Sequence, residues 1–317
     1  MKYLIRHMET TDIDNISKLF QIIWKIDLNR IKSKTKWAFD NDFSKVLLYF
    51  DNDEIIAVRG GINWPLMVLD KEIKAIQLHG TCVHPDFRRQ GIFTSINKDF
   101  LKDAIEEQND FIFNVSVDNS RAGYEKLGWE YIKGFRRLTF FRKPFKVLFG
   151  KESIENKIIQ SRTVEDLNIP TSFIDERNKR LANSIYCKYS TNFLRWRLNN
   201  ESEKYKKVQT GEAIIIYKVK QNKGIKEVII GECFLLRYKF SVFCKVLDLL
   251  YWKENPDLVY TYIFKDHPCY TFFTRKLFIP NPKRYNLNFG TKFLNEKVRE
   301  EFESKKWAIC YLDIDTF

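Results

Sequence analysis

The feature that most constrains this chain is a basic turn between a predicted strand and a predicted helix, within Gln77–Phe93. Polar and apolar residues alternate around Val83, the pattern breaks at Pro85, and apolar residues recur at helical spacing over Ile92–Ala104. The first-turn amides of such a helix lack intrahelical partners, and with the helix dipole they create a positive field that suits a phosphate. Gly91 would let the backbone approach that phosphate closely.

These residues carry a resemblance to a known family. Val83, Pro85, Arg88 and Gly91 resemble motif A of the GNAT (Gcn5-related N-acetyltransferase) superfamily, in which Arg/Gln-x-x-Gly-x-Gly/Ala follows a Val-x-Pro strand end. Phe93 departs from the motif, because it stands where the family usually has Gly or Ala. Its side chain would narrow the approach of a diphosphate, although its amide stays available. A surface turn that is merely basic is the alternative interpretation.

A second segment, Asn119–Trp129, resembles the GNAT pattern Asn-x-x-Ala-x-x-x-Tyr-x-Lys-x-Gly-Phe. It follows a predicted buried strand and reads as a short helix that ends at Gly128. Measured from Gly128, Tyr124 takes the place of the family's general-acid tyrosine. Measured from Asn119, the helix is two residues short, so the spacing supports Tyr124 better than Asn119. The resemblance covers residues 1 to about 143.

The resemblance implies an α+β (mixed α/β) chain with the GNAT fold, in which helices flank a central, mostly antiparallel twisted sheet. The residue pattern is consistent with this fold in the first half. It predicts strands at 2–8, 45–49, 54–60, 72–83 and 111–117, with helices after Thr11 and after Gly91.

The two halves of the chain also resemble each other, which suggests a repeated fold. Lys36–Asn41 aligns with Arg195–Asn200, and each is followed by a predicted strand, at Glu54 and Glu212 respectively. Later, Glu125-Lys-Leu-Gly-Trp aligns with Arg-Lys-Leu-Phe-Ile279. We therefore expect a tandem GNAT protein with an acetyl-CoA-binding domain over 1–145 and a degenerate GNAT-like domain over 151–317. The second copy has no Arg-x-x-Gly turn, so it would serve as scaffold or substrate wall.

Within the second half, the residue pattern predicts both helices and strands. It indicates helices over Asp175–Cys187 and Thr191–Leu198. It indicates strands at 211–220, 225–238 and 243–252, and a final strand over Tyr311–Phe317.

Composition places the chain among globular proteins that work without a membrane span. Of its 317 residues, 44% are hydrophobic and 30% charged, and charges interrupt every long apolar run. The start of the chain reads as a strand rather than a signal peptide, so a cytoplasmic location is expected. The six cysteines form no Cys-x-x-Cys pair and have no histidine at metal-ligand spacing, so we expect reduced core residues and no metal.

The formal net charge of +13 is unevenly distributed along the chain. Lys and Arg outnumber Asp and Glu by 24 to 20 in residues 1–150 and by 30 to 21 in residues 151–317. Coenzyme A would bind the less basic half, so the cofactor does not account for the excess. An acidic substrate, a nucleic acid or an anionic surface would be attracted to the second half, and a solvated lysine-rich surface is the alternative.

The GNAT resemblance implies direct attack of an amine on the thioester of acetyl-CoA, without a metal or a covalent nucleophile. Backbone amides near Cys82 and Val83 would hold the thioester and its oxyanion. Tyr124 would protonate the departing thiolate. The residues expected at the pyrophosphate are Arg88, Arg89, Gln90, Gly91, Ile92, Phe93 and Thr94, with Asn119 as a further cofactor contact.

The sequence leaves open whether His79 or a C-terminal carboxylate accepts the proton of the amine. His79, four residues before Val83 and thus expected on the same strand face, lies where arylalkylamine acetyltransferases carry a histidine, and a neutral imidazole suits this role near pH 7. A structural histidine is the alternative. By analogy with tandem aminoglycoside acetyltransferases, Asp313, Asp315 and the terminal Phe317 are substrate-side candidates.

The expected function is therefore transfer of an acetyl group from acetyl-CoA to a primary amine of a small molecule such as an amino sugar. The acceptor would lie in the cleft between the halves. DNA is not an expected partner. An aminoacyl-tRNA-dependent peptidyltransferase of tandem GNAT fold is one alternative, since tRNA would account for the basic second half. A non-catalytic CoA-binding protein is the other. The sequence does not indicate the oligomeric state.

Overall fold

The structure is a computed structural model that describes residues 3–116, 118–149, 167–282, 287–303 and 305–314, without the side chains of residues 119 and 149. It confirms the predicted α+β class. The first half contains β1 (Leu4–His7), α1 (Ile13–Trp24), α2 (Leu28–Phe39), β2 (Ser44–Asp51), β3 (Glu54–Val68), β4 (Lys71–Val83), α3 (Ile92–Glu106), β5 (Phe111–Ser116), α4 (Asp118–Glu125), β6 (Glu130–Ile132), β7 (Phe135–Phe141) and α5 (Pro144–Phe149).

The second half repeats much of this order. It contains α6 (Thr171–Leu181), β8 (Ile185–Cys187), α7 (Thr191–Leu198), β9 (Lys206–Gln209), β10 (Ala213–Asn222), β11 (Ile225–Leu235), α8 (Phe240–Glu254), β12 (Leu258–Phe264), α9 (Cys269–Arg275), β13 (Ile279–Pro280), β14 (Asn288–Phe293) and α10 (Glu296–Glu303). No helix in these described ranges is long and apolar enough to cross a membrane.

The strands form two sheets with matching order. Sheet I runs β1-β2-β3-β4-β5-β14-β6, with β8 paired to β3, and sheet II runs β9-β10-β11-β12-β7-β13. In each sheet one parallel pair, β4–β5 or β11–β12, lies among antiparallel neighbours. The same sequence of pairings in both sheets supports the predicted repeat of one fold.

The two halves exchange a strand. β7 comes from the first half but pairs with β12 in sheet II, and β14 comes from the second half but pairs with β5 in sheet I. A division at residue 145 therefore does not separate the sheets, because each is completed by a strand from the other half. The two halves are held together by backbone hydrogen bonds as well as side-chain packing.

Three predicted elements of the second half were wrong. Residues 243–252 belong to helix α8, on which Val242, Val246 and Leu250 are buried one turn apart. The predicted helix over Asp175–Cys187 ends at Leu181, and the last three of its residues form β8. The predicted final strand is a 3-10 turn at Tyr311–Asp313, while residues 315–317 lie outside the described residues.

Helices pack on both faces of sheet I, and each face has its own cluster of buried side chains. Helices α1 and α2 pack on one face, where Phe20 and Phe39 join a cluster with Val58 and Cys82. Helix α3 packs on the other face, where Ile96 and Phe100 join a cluster that includes residues of α4. These faces are called the α1/α2 face and the α3 face below.

Candidate active site

The junction of β4 and α3 has the geometry that the sequence predicted. A 3-10 turn at Pro85–Phe87 ends the strand segment, with His84 Nδ1 accepting from the Asp86 amide at 3.3 Å. Gly91 then adopts φ +80° as the N-cap of α3, in the left-handed region that disfavours other residues. A Cβ at Gly91 would meet nothing within 4 Å, so the space above the turn is open.

The start of α3 has the backbone and charge features of an anion-binding site. Its fifteen residues give a full dipole, and the first main-chain bond into the helix, from the Ser95 amide to the Gly91 carbonyl at 3.0 Å, leaves the preceding amides without helix partners. Arg88 and Arg89 are exposed beside it, and Arg88 Nε donates to the Val83 carbonyl at 3.4 Å. Gln90 Oε1 accepts from the Tyr3 hydroxyl at 3.1 Å.

Strands β4 and β5 separate in the middle of the sheet. Their parallel ladder comprises only the pairs from Ala75–Phe111 to Gln77–Phe113, although β4 continues to Val83. Beyond Gln77, this edge of β4 is not paired with β5. An extended ligand can form hydrogen bonds with the backbone of such an edge in the same way as an added strand.

A bulge in β4 lies beside this gap. Val58 pairs with Cys82 but Gly60 pairs with His79, so Gly80 and Thr81 together oppose one residue of β3. Gly80 has φ +60°, and a Cβ there would lie 2.8 Å from the Phe39 ring, so both conformation and space require glycine. The bulge turns backbone groups out of the ladder immediately before Cys82, where the sequence placed the thioester contact.

The bulge corrects one predicted orientation. His79 was expected to share a strand face with Val83, but the extra residue shifts the alternation by one. His79 therefore lies on the α1/α2 face, where its ring contacts Phe39 edge-on with centroids 5.6 Å apart. Val83 packs instead with the cluster of the α3 face.

Tyr124 lies on the α3 face, opposite His79. Its side chain is only 3% exposed, and its hydroxyl accepts from Arg59 Nη1 at 3.2 Å. The rings of Phe93 and Trp129 pack on it, with centroids 5.7 and 5.0 Å from that of Tyr124. His79 and Tyr124 thus approach sheet I from its two sides.

Phe93, the departure from the GNAT motif, is accommodated by a glycine in α4. A Cβ at Gly123 would lie 2.9 Å from the Phe93 ring, so the missing side chain makes room for the aromatic one. The ring also contacts Tyr124, so Phe93 helps to fix the position of the tyrosine. No side chain is described for Asn119, so its predicted cofactor contact stays a prediction.

Arg59 is a site residue that the sequence analysis did not identify. It is 1% exposed, and burial lowers the pKa of its guanidinium. Nη1 binds the Tyr124 oxygen, but Nε and Nη2 have no hydrogen-bond partner among the residues that the structure describes. A buried guanidinium with open donors is costly. The available signal was one charged residue inside the apolar strand Ile55–Ile62.

The thiol of Cys82 is poorly suited to act as a nucleophile. The residue is buried, and burial raises the pKa of its thiol well above the ordinary range. A thiol that stays protonated is a poor nucleophile. This is consistent with the prediction that only main-chain groups at this position contact the thioester.

A cavity of about 270 Å³ lies on the α1/α2 face next to His79. Gly80, at the bulge, is also part of its lining. The cavity is thus contiguous with the strand segment that separates from β5. Its remaining lining comes mainly from α1, α2 and the segment between them, with Glu203 from the second half of the chain.

In sheet II the chain itself occupies the corresponding gap. The ladder between β11 and β12 ends at Ile230–Thr261, and beyond it Ile263 bridges to Cys310 while the Phe264 amide donates to the Ile309 carbonyl. The C-terminal segment thus takes the place that an extended ligand would take. This segment, together with the missing Arg-x-x-Gly turn, explains physically why the second half offers no matching cofactor cleft.

Asp313 is part of this segment and is fully buried. Its Oδ1 accepts from Arg177 Nη2 at 3.1 Å and from the Tyr189 hydroxyl at 2.5 Å. Arg197 holds the same segment by donating to the carbonyls of Leu312 and Ile314. Asp313 therefore lies in an internal ion pair rather than in an open cleft. Asp315 and Phe317, the other predicted substrate-side groups, lie outside the described residues.

The fold also brings together Glu232, His267 and Cys310, whose ligand atoms lie within 4.8 Å of one another. Sequence spacing gave no sign of this cluster. Arg177 Nε already donates to Glu232 at 3.0 Å, and a guanidinium on the carboxylate opposes a second cation. Burial raises the pKa of the Cys310 thiol and lowers that of His267 to about 3. The cluster is explained as core packing around Arg177.

Comparison with known proteins agrees with this geometry. Residues 4–132 match the family model of the acetyltransferase (GNAT) domain. No curated protein is significantly similar to the chain. Residues 4–132 thus form a GNAT acetyltransferase domain.

Solved structures are similar over nearly the whole chain. A probable N-acyltransferase from Enterococcus faecalis matches with TM-score 0.64 and 11% identity, over 93% of this chain and 73% of that one. A putative acetyltransferase from Pyrococcus horikoshii matches with TM-score 0.57 and 13% identity, over 98% of this chain and 93% of that one. A tandem GNAT protein from the clavulanic acid biosynthesis pathway gives 0.52 and 10%, over 93% and 99%. At these identities the similarity shows the fold, and it fits a tandem arrangement.

Proposed function

We propose that the protein is a cytoplasmic N-acetyltransferase that transfers an acetyl group from acetyl-CoA to a primary amine of a small molecule. The observation that carries the proposal is the combination of an open phosphate-binding turn at Gly91 with the unpaired edge of β4. Both lie on one continuous segment, so a ligand with a diphosphate and an extended arm fits them together.

The described residues fit acetyl-CoA. The amides at the start of α3, with Arg88 and Arg89, would hold the diphosphate. The open edge of β4 beyond Gln77 would bind the extended arm, and the bulge before Cys82 would present amides to the thioester carbonyl. Acetyl-CoA supplies the activated acyl group. Arg59, with two open donors in the protein interior, supports the presence of a polar ligand at this place.

Two residues on opposite faces of sheet I would move the protons. His79 would accept a proton from the ammonium, which frees the nitrogen lone pair to form a bond with the acyl carbon. The bond between that carbon and sulfur then breaks, and Tyr124 would give its proton to the departing thiolate. The second proton that the nitrogen loses on becoming an amide would pass through solvent to the tyrosine oxygen. Arg59 would stabilise the tyrosine oxygen once it has lost its proton, since the guanidinium already binds it. The products are an amide and free CoA.

Thermal unfolding with and without acetyl-CoA tests this proposal. A ligand present at about a hundred times its dissociation constant stabilises the native state by about 2.7 kcal/mol, which gives a measurable rise in melting temperature. We expect a rise with acetyl-CoA and with CoA, and none with a pool of tRNA. A rise with tRNA alone would contradict the proposal and favour the peptidyltransferase alternative. Cofactor binding with no turnover of any amine would favour a non-catalytic CoA-binding protein.

A further inference from the structure

The cavity beside His79 has an apolar wall that is buried in part and exposed in part. It is formed by Phe20 and Trp24 of α1, by Ile26, and by Ile31 of α2. Trp24 and Ile26 are each 41% exposed, although both are large and apolar. Exposed apolar side chains around a concave site are typical of a surface that binds an apolar ligand group.

The rim of the cavity is positively charged. Arg30 and Lys34 lie one turn apart on α2, and both line the cavity. Glu203 is the acidic residue of the lining, but it ion-pairs with Lys218 at 2.7 Å and with Lys34 at 3.7 Å. Burial alone would raise the pKa of Glu203, but these lysines outweigh it and lower the pKa. The carboxylate is thus neutralised within the protein, and the cationic side chains outnumber it.

The floor of the cavity is polar. Thr35 lines it, is 1% exposed, and has a hydroxyl oxygen without a hydrogen-bond partner in the described part of the chain. A buried hydroxyl without a partner costs free energy, so a polar group of a ligand would satisfy it. His79 lies in the same lining at 9% exposure. The lining therefore combines two buried polar side chains, called the floor here, with the apolar wall and the cationic rim.

We infer that the acceptor is a primary amine on an apolar body of aromatic size that also bears a carboxylate. The amine lies on the floor at His79 and Thr35, the body contacts the apolar wall, and the carboxylate faces Arg30 and Lys34. This inference rests on the proposed acetyltransferase function. An amino sugar with several positive charges would instead meet the cationic rim, where like charges repel.

Matched amines test the inference. Phenethylamine supplies the amine and the apolar body, and phenylalanine and para-(aminoethyl)benzoate each add a carboxylate in a different position. We expect at least one of the two carboxylates to be acetylated with kcat/KM at least tenfold above that of phenethylamine. Glycine, which lacks the body, and a polycationic aminoglycoside should be poor acceptors.

The variants Arg30→Met and Lys34→Met test whether the rim causes the preference. We expect each to lower kcat/KM for the preferred carboxylate by a larger factor than it changes kcat/KM for phenethylamine. Lys32→Met is the control, because Lys32 lies on the same helix and pairs with Asp14. Calorimetric titration of N-acetyl-phenylalanine and para-(acetamidoethyl)benzoate in the presence of CoA provides a second measurement that does not need turnover.

The outcomes separate this inference from the function on which it rests. If phenethylamine or the aminoglycoside is acetylated better than both carboxylates, the acceptor class is wrong but the acetyltransferase stands. If CoA binds and neither acetylated carboxylate binds, the acceptor class is also wrong. If acetyl-CoA itself gives no stabilisation, the proposed function fails first.

Discussion

Trp37 and Trp196 stack on each other across the two halves of the chain, with ring centroids 5.0 Å apart and an interplanar angle of 9°. The indole of Trp37 donates to the main-chain carbonyl of Trp196 at 2.9 Å, and that of Trp196 donates to the carbonyl of Trp37 at 3.3 Å. This reciprocal exchange is the relation expected of equivalent positions about a twofold axis. The two tryptophans are also the pair that the sequence repeat aligned.

The tryptophan pair should couple the stabilities of the halves. Trp37→Phe and Trp196→Phe each remove one N–H donor and part of the stacked area, so each should lower the free energy of unfolding. A double-mutant cycle by chemical denaturation should give a coupling energy of about 1 kcal/mol, the scale for aromatic pairs in contact. Trp252→Phe, at a residue 81% exposed, should change stability little. Strict additivity of the pair would show that the stack contributes no coupling.

Gly91→Glu should abolish acetyl-CoA binding, because a side chain enters the open turn and a carboxylate opposes the diphosphate. Gly224→Glu is the control, because Gly224 also has a positive φ, +77°, but lies between β10 and β11 in the second half. Calorimetric titration should show binding lost in the first variant and kept in the second. Equal affinity in both would mean that the turn does not hold the cofactor.

Tyr124→Phe should lower kcat by roughly a hundredfold, the usual scale for one acid-base group. Arg59→Met should lower kcat and yet raise stability, because it removes a buried guanidinium with two open donors. Since both act on one proton transfer, their effects on kcat should not add. Rates and denaturation of the two variants and of the double variant check this. Loss of stability in Arg59→Met with unchanged kcat would assign Arg59 to packing.

His79→Gln should remove one ionisation from the acidic limb of the kcat/KM profile against pH. The neutral imidazole is the active form of a base, so the wild-type rate should fall as pH falls through that ionisation. His7→Gln, at a side chain 53% exposed on β1, is the control and should keep the profile. A profile that is unchanged in His79→Gln would identify a structural histidine.

His267 should make the fold sensitive to mild acid. Burial and the nearby Arg177 lower the pKa of His267 from its ordinary value of about 6.5 to about 3, and they outweigh Asp313, which raises it. Between these values the unfolded chain binds a proton that the folded chain does not, so stability falls as pH falls below about 6.5. The limiting slope is roughly 1.4 kcal/mol per pH unit.

Urea denaturation at several pH values tests this prediction with His267→Gln. The variant should lose this part of the pH dependence, and its stability relative to wild type should improve as the solution becomes more acidic. His7→Gln should follow the wild-type curve. Parallel curves for wild type and His267→Gln would show that this histidine takes up its proton in the folded state as well.

Local patterns explain why much of the first half was predictable. The turn between β4 and α3 depends on residues that are close together in sequence, namely Pro85, Arg88 and Gly91, so spacing alone places them. Amphipathic periodicity likewise gave β4 and α3 within two residues of their observed ends. Helix α8 was mistaken for a strand because its β-branched and aromatic residues masked the one-turn spacing of its buried positions.

The orientation of His79 shows a different limit. Strand alternation predicts faces only while the ladder is regular, and the bulge at Gly80 shifted every residue before it relative to Val83. Glycine in a strand is a signal for such a bulge, but the register depends on β3 as the partner. Arg59 was missed for a related reason, since its open donors become visible only when the strand, α3 and α4 enclose it.

The sequence by itself predicted the GNAT domain, the turn between β4 and α3, the general-acid candidate and the repeat, because each depends on short-range patterns. Tertiary structure alone decided that the halves exchange β7 and β14, that the C-terminal segment fills the second cleft, and that His79 adjoins a cavity with a cationic rim. These features join residues far apart in the chain. Their formation depends on which strand edges and side chains can satisfy one another's hydrogen bonds and charges once the core is buried.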